Sequence, residues 1–288
     1  MKKIVLGSAQ WGMAYGISSS GEKPEKNDIR KILNLAKEIG IKSIDTAPAY
    51  GTGEMLLGEI GVDDFDVTTK IAKITNQNSP VDFLRASFLK SKSSLGTISL
   101  YGLLIHDVSD LFGKNGRFIF EEMQRLKKEG AVRKIGVSVY TVEDAKRAFE
   151  DYEFDLVQFP YSILDRRFER SGLLEDWRKY GVETHARSIF LQGLLLMDTL
   201  NIPKKLEPLA AKSSYIQSQA KSLGLSTVEF LTRFAISCDL IDKLIIGVES
   251  VRQLEQIRHS LGDSGTINFP AIDINDEGLL LPYNWDLT

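Results

Sequence analysis

The feature that most constrains this chain is an alternation. Eight short apolar runs, at about residues 4–9, 41–45, 65–69, 100–105, 135–137, 156–159, 182–186 and 243–246, recur between longer stretches. The intervening stretches at 27–39, 53–60, 80–95, 118–129, 141–149, 173–180 and 251–260, with an extra pair at 210–223 and 226–237, place their apolar residues at helical spacing. Most of the short runs are continuously apolar rather than alternating, which is the pattern of strands covered on both faces. Eight such strands alternating with helices give an α/β chain of the (β/α)8, or TIM barrel, class. A barrel of that kind needs about 250 residues, so one domain accounts for the 288 present, with 262–288 as a carboxyl-terminal tail. Asn27, Pro80 and Thr141 are placed to open helices, and Gly40, Gly130 and Gly181 to end them.

Polar residues close these strands in turn: Asp45, Lys70, His106, Ser138, Gln158, Ser188 and Gly247. In a parallel barrel all of these positions open onto one mouth, where the chemistry sits. Each has a plain structural reading as well. Asp45 before Thr46 can cap a helix, a loop tyrosine such as Tyr50 more often packs or hydrogen-bonds, and a lone histidine is usually a satisfied structural one. The register of an acid, an amine and an imidazole at the ends of strands two, three and four, with Tyr50 in the adjoining loop, is what raises the catalytic reading above these. His185 and His259 lack such company and read as structural or surface residues. No His, Cys or carboxylate group has metal-ligand spacing, so no metal site is expected.

DTAPAYG, with Lys70 closing VTTK and His106 closing LLIHD, resembles the aldo-keto reductase family. The likeness extends through GSAQWG, KKEGAVRKIGVS, DLVQFPYS, SIFLQGLL and IIGVESVRQLE, and so covers essentially the whole chain. The resemblance implies NAD(P)H-dependent reduction of an aldehyde or ketone to an alcohol, or the reverse, with Asp45, Tyr50, Lys70 and His106 as catalytic tetrad and Tyr50 as general acid and base. An adjacent Lys70 ammonium is expected to lower the tyrosine pKa, and Asp45 to hold and compensate that ammonium. NADPH or NADH would lie across the mouth, on Ser138, Gln158, Arg187 and Ser188, under Gln192 and Gly193, and at Gly247, Glu249, Ser250, Gln253 and Gln256, where a helix amino terminus suits an anion. Trp11 is expected in the substrate pocket.

Several positions depart from the family pattern. Val139 stands where an Asn is common, Arg187 where an aromatic residue stacks on the nicotinamide, and Ile257 where an Asn often meets adenine. Glu249 occupies the segment that usually meets a 2'-phosphate, with Arg252 the only basic candidate in that turn, so the two cofactors are placed near parity. The first strand begins almost at Met1, which leaves out the family's amino-terminal bottom hairpin. The long Leu-rich connection 189–208 is expected to act as a flap over the cofactor. The tail shapes the substrate pocket or docks on the barrel or another subunit.

Composition narrows the partners. A net charge of -3 gives no basic field for nucleic acid or anionic lipid, and the longest apolar run is far short of a membrane span. Cys238 alone cannot form an internal disulfide, and the stretch MKKIVLG is too short for a signal-peptide core, so a cytoplasmic monomer or homodimer acting on a small carbonyl compound is expected. Two other readings stay open: a class I aldolase with Lys70 as Schiff-base amine, and a cofactor-binding redox sensor with slow turnover.

Overall fold

The computed structural model describes residues 1–18, 21–74, 78–262 and 267–285. Eight parallel strands close into a barrel in sequence order: β1 (Ile4–Gly7), β2 (Ser43–Asp45), β3 (Asp66–Ile71), β4 (Leu100–Ile105), β5 (Val132–Ser138), β6 (Leu156–Pro160), β7 (Glu183–Arg187) and β8 (Lys243–Gly247). The closing pair is β1 with β8, in which Gly7 stands beside Gly247. The connecting helices are α1 (Ala9–Gly12), α2 (Lys26–Glu38), α3 (Gly53–Ile60), α4 (Pro80–Leu95), α5 (Gly116–Lys128), α6 (Val142–Asp151), α7 (Arg167–Arg170), α8 (Leu173–Lys179), α9 (Glu207–Ser222), α10 (Thr227–Ser237), α11 (Val251–Ser260) and α12 (Glu277–Leu280).

The two apolar layers follow from strand alternation. One set of side chains packs outward against the helices and forms a continuous core that includes Leu103, Val137, Val157, Ile32, Leu84 and Phe159. On the opposite faces, Lys70, Leu104, Gly136, Leu156 and Glu183 pair consecutively across β3 to β7, so the interior row runs from an amine through apolar residues to an acid. At the floor of the barrel the Glu183 carboxylate accepts from Tyr101 Oη at 2.6 Å, from Lys134, and meets His185 Nε2 at 2.6 Å. His185 is buried, and its Nδ1 has no partner among the described residues. Among those residues no hairpin precedes β1, and this polar cluster occupies the floor.

Local differences from the sequence reading have simple causes. α2 begins at Lys26 with Glu25 in the extended N-cap conformation, so Asn27 lies inside the first turn rather than capping it. Residues 9–12 form a single helical turn where a loop was expected, because Trp11 turns inward and is fully covered. Thr141 and Ser250 do cap, accepting from Asp144 N and Gln253 N at 3.1 and 3.2 Å. The tail contains α12 and a single 3₁₀ turn (Pro282–Asn284), and 263–266 and 286–288 lie outside the described residues. No described helix is long and apolar enough to cross a membrane.

α1 fixes the loop that carries Tyr50. The Gly12 carbonyl accepts from Thr52 N at 3.4 Å, and a Cβ built on Gly12 would stand 1.7 Å from the Tyr50 carbonyl oxygen and 2.5 Å from Gly53 N. Both obstacles are backbone, which cannot swing aside as a side-chain end could. Gly12→Ala is therefore expected to lose about 1–3 kcal/mol of stability. Because it displaces the Tyr50 loop, it should also lower kcat. Denaturant unfolding together with steady-state kinetics checks this, and a fully active, fully stable variant would refute the contact.

Candidate active site

Lys70 is the centre of the mouth. Its side chain is only 1% exposed, and its Nζ donates to Asp45 Oδ1 at 2.6 Å, to the Thr46 carbonyl at 3.1 Å and to Tyr50 Oη at 3.2 Å. All three donors of the ammonium are thus used. Asp45 is equally satisfied, because Gln158 Nε2 donates to its Oδ2 at 2.8 Å. Burying two charges costs several kcal/mol per ion, and deleting one partner of such a pair costs about 3–5 kcal/mol, so the pair persists as a unit. Burial lowers the proton affinity of Lys70, but the Asp45 carboxylate and Tyr50 outweigh it and hold the ammonium above its ordinary range. An amine so held is poorly suited to attack a carbonyl, which removes the aldolase reading of Lys70.

Tyr50 differs from the sequence expectation. Burial pushes its phenol above the ordinary tyrosine value, and the pull from Lys70 offsets that only in part, with Asp45 adding to the rise. The phenol is therefore protonated at neutral pH and hydrogen-bonded to a cation, which suits proton donation to an alkoxide. The His106 ring stands 6.1 Å from the Tyr50 ring, edge-on at 89°. Burial, reinforced by the charges of Lys70 and Arg187, lowers its pKa to about 4. The imidazole is neutral throughout the physiological range.

The remaining expected residues fall into distinct groups. One open cleft of about 250 Å³ is lined by Asp45, Tyr50, Gln158, Arg187 and Ser188, by Gln192 and Gly193, and by Gly247, Glu249, Gln253 and Gln256. Ile257 also lines it, whereas Arg252 is exposed and does not. Three expectations change. Trp11 is 1% exposed, donates its indole N–H to the Val248 carbonyl at 2.7 Å and does not line the cleft, so it braces β8 instead of touching substrate. Ser138 is 3% exposed, pairs with Gln158 across β5 and β6, and lies outside the lining. The Ser250 hydroxyl is engaged as the α11 cap, and Gln253 Oε1 accepts from Glu249 N at 2.7 Å, so both side chains shape the turn. Gln158 does line the cleft, with one amide N–H committed to Asp45 and its Oε1 and second N–H left for a ligand.

The cleft has contributors that the sequence did not single out. Gln10 of α1, with Tyr15, Gly16 and Ser18 of the loop after it, lines it as well. Ile17 N donates to the Gln192 carbonyl at 3.1 Å, Gln192 Nε2 reaches Tyr15 Oη at 3.4 Å, and a Cβ on Gly193 would strike Ser18 Oγ at 1.9 Å. Two loops thus clasp across the cleft. The clasp needs an unusual backbone: Ser188, Leu191 and Gln192 have φ of 63°, 49° and 53°, and Gly193 of 90°. Gly247 leaves room for the Gln10 amide, whose Oε1 would lie 2.1 Å from a Cβ built there. The expected flap is packed and contains three 3₁₀ turns, Leu194–Leu196, Thr199–Asn201 and Lys204–Leu206, anchored by buried Ile189, Leu191, Leu194, Leu195 and Leu206. His259 is exposed, as expected, with Nδ1 2.7 Å from the Glu255 carbonyl.

With this geometry in place, comparison with known proteins decides the family. Residues 3–269 match the Aldo/keto reductase family profile. The chain belongs to that family. It is an NAD(P)-dependent oxidoreductase of carbonyl compounds. The chain is 29% identical to the D-arabinose 1-dehydrogenase of Saccharomyces cerevisiae, with 88% of this chain and 80% of that protein covered. It is 26% identical to the NADH-specific methylglyoxal reductase of Escherichia coli, covering 83% and 81%. A glycerol dehydrogenase from Gluconobacter oxydans has the same fold, with a TM-score of 0.71 at 21% identity over 92% of this chain and 88% of that one. These matches do not favour the sensor and aldolase readings.

The lowered pKa of His106 carries a sign. Its folded value of about 4 lies below the ordinary 6.5, so the neutral ring contributes stability that is fully present above pH 6.5 and is lost as pH falls toward 4. NMR titration should show the His106 ring unprotonated at pH 6, with stability declining on acidification below that point. A His106 midpoint near 6.5 would contradict the burial described.

Proposed function

We propose that the tetrad Asp45, Tyr50, Lys70 and His106 performs carbonyl reduction, with Tyr50 as general acid, and that the clasped cleft holds the nicotinamide dinucleotide. The observation that carries this reading is the single Lys70 ammonium joined to both Asp45 and Tyr50. When bound, the nicotinamide supplies the hydride. Tyr50 Oη donates a proton to the developing alkoxide, and Lys70 stabilises the resulting tyrosinate at 3.2 Å. Asp45, fixed by Gln158, keeps the ammonium in place. Neutral His106 presents an N–H that orients the carbonyl oxygen without adding a charge. In the reverse direction the same tyrosinate takes the alcohol proton.

The residues of the cleft fit a dinucleotide. An elongated wall runs from Tyr50 and Gln158 past Ser188, Gln192 and Gly193 to Gly247, Glu249, Gln253 and Gln256 beside the amino terminus of α11, whose dipole favours phosphate. The loop pair 15–18 and 188–193 would cross the middle of such a ligand, so its exchange requires the clasp to open. The single, half-buried Cys238 accords with a cytoplasmic setting, as a monomer or homodimer.

Tyr50→Phe tests the catalytic reading. Phenylalanine keeps the packing against His106 and removes the transferable proton, so kcat for aldehyde reduction should fall by about 10²-fold or more while cofactor Kd changes little. Near-wild-type kcat, with chemistry shown to be rate-limiting, would sink it.

Cofactor choice turns on Glu249. This carboxylate lines the cleft, Arg252 does not, and a relative named as NADH-specific is compatible with an acidic residue in that turn. A carboxylate accepts hydrogen bonds from a ribose diol and repels a 2'-phosphate, by about 1 kcal/mol where solvent screens it. NADH and NADPH are accordingly used at near parity. Glu249→Arg should move preference toward NADPH, chiefly through KM, because the contact is equal in ground and transition states. Wild-type affinity for NADPH about a hundredfold above NADH, unaltered in the variant, would show Glu249 to be turned away from the ribose.

A further inference from the structure

One cation at the mouth has no assigned partner. Arg187 ends β7, half-buried, and lines the cleft with Tyr15, Tyr50 and Asp45. Its guanidinium stands 4.0 Å from the centre of the Tyr140 ring, and Nη2 donates to the Val139 carbonyl at 3.2 Å. The arginines at the start of α7 and within it are paired differently. Arg166 meets Glu169 at 2.6 Å, Arg167 meets Asp165 at 2.9 Å, and Arg170 meets Asp273 at 2.5 Å. Among the described residues Arg187 has no carboxylate. A guanidinium carries five N–H donors in one plane, and a half-buried one with a single backbone acceptor is a receptor in search of an anion.

The surroundings hold this group in place. Tyr140, beneath the guanidinium, is met edge-on at 88° and 5.0 Å by Tyr283 of the tail. The tail in turn is pinned to the barrel by Arg167 with Glu277, by Arg170 with Asp273, and by Ile274 N donating to the Leu164 carbonyl at 2.9 Å. Leu280 and Leu281 are both 1% exposed beneath it. The charge also reaches the reacting groups: Arg187 is among the causes that lower His106 and oppose the rise of Tyr50. Stacking on a nicotinamide would use only a face of the guanidinium and would set two cations together in the oxidised state. A carboxylate uses the edge, where the free donors are.

We propose that Arg187 binds a carboxylate carried by the carbonyl substrate, so that the preferred substrates are small oxo acids, and that Tyr140 and Tyr283 are positioning residues for it. This rests on the assignment of the cleft as the carbonyl-reducing site. The pair of probes is succinic semialdehyde and its methyl ester, which differ in charge at nearly constant shape. Wild-type enzyme should favour the acid by about tenfold or more in kcat/KM. Arg187→Met should bring that ratio close to unity, Arg187→Lys should keep part of it, and Tyr283→Ala should reduce it without altering the pH profile of the ester reaction. Because Arg187 lines the same cleft, fluorescence titration gives the cofactor Kd of each variant, and the acid-to-ester ratios are compared at saturating cofactor. A wild-type ratio near one, a ratio unmoved by Arg187→Met, or a loss accounted for entirely by weakened cofactor overturns the proposal. NMR-detected binding of succinate against dimethyl succinate gives a reading independent of turnover. If no carbonyl compound is reduced but succinate binds wild type and not Arg187→Met, the reaction assignment fails and the carboxylate receptor stands. If succinate does not bind wild type, the receptor fails.

Discussion

The constraint on which the rest of the structure depends is a fully desolvated ammonium at the top of a barrel. Lys70 must have three acceptors, because an unpaired buried charge would cost more than the marginal stability of a typical domain allows. β2 supplies Asp45, the following residue supplies the Thr46 carbonyl, and the loop beyond supplies Tyr50. β6 then supplies Gln158 to complete Asp45. Residues 45–50, Lys70 of β3 and Gln158 of β6 are thereby held in one register by the needs of one ion pair. The Tyr50 phenol inherits its position from that requirement, and the close approach of Gly12 to the Tyr50 carbonyl fixes the loop from the other side.

Much of this was legible in the sequence. Continuous apolar runs reported strands buried on both faces, and every one of the eight strands lies within a few residues of its expected place. The strand-end residues Asp45, Lys70 and His106 could be read because barrel topology converts position along the chain into position at the mouth. The remaining assignments depended on which neighbour wins a shared hydrogen bond. Gln158 was legible as a cleft residue but its commitment to Asp45 was not, since that bond spans 113 positions of sequence. Trp11 read as a pocket residue because its loop adjoins the mouth, yet its indole N–H finds the Val248 carbonyl and the ring goes inward. The pKa of Tyr50 was misjudged for the same kind of reason. Sequence shows that a lysine is near but not how deeply the pair is buried, and burial is the larger effect.

The opposite end of the barrel repeats the theme with different chemistry. Glu183 gathers Tyr101, Lys134 and His185 into a charged floor beneath Leu104 and Leu156. Burial is offset for this carboxylate by hydrogen bonds from three sides, which hold it well below the usual range. The interior is thus an apolar layer between two polar ones, and the upper one opens to the cleft that Tyr50 and Asp45 line.

The backbone of the clasp has a mechanical meaning. Ser188, Leu191 and Gln192 all occupy the left-handed region, where a residue with a side chain is disfavoured by roughly 1–2 kcal/mol. Contacts with Tyr15 and Ile17 hold Gln192 there, while Leu191 is held by burial and by its N–H donating to the Ser188 carbonyl at 2.7 Å. Such a segment is a latch under tension, held shut by its buried leucines and by the opposing loop against the preference of its own backbone. The strain lies wholly in the connection after β7, so it loads the clasp and leaves the strands of the barrel in their ordinary geometry.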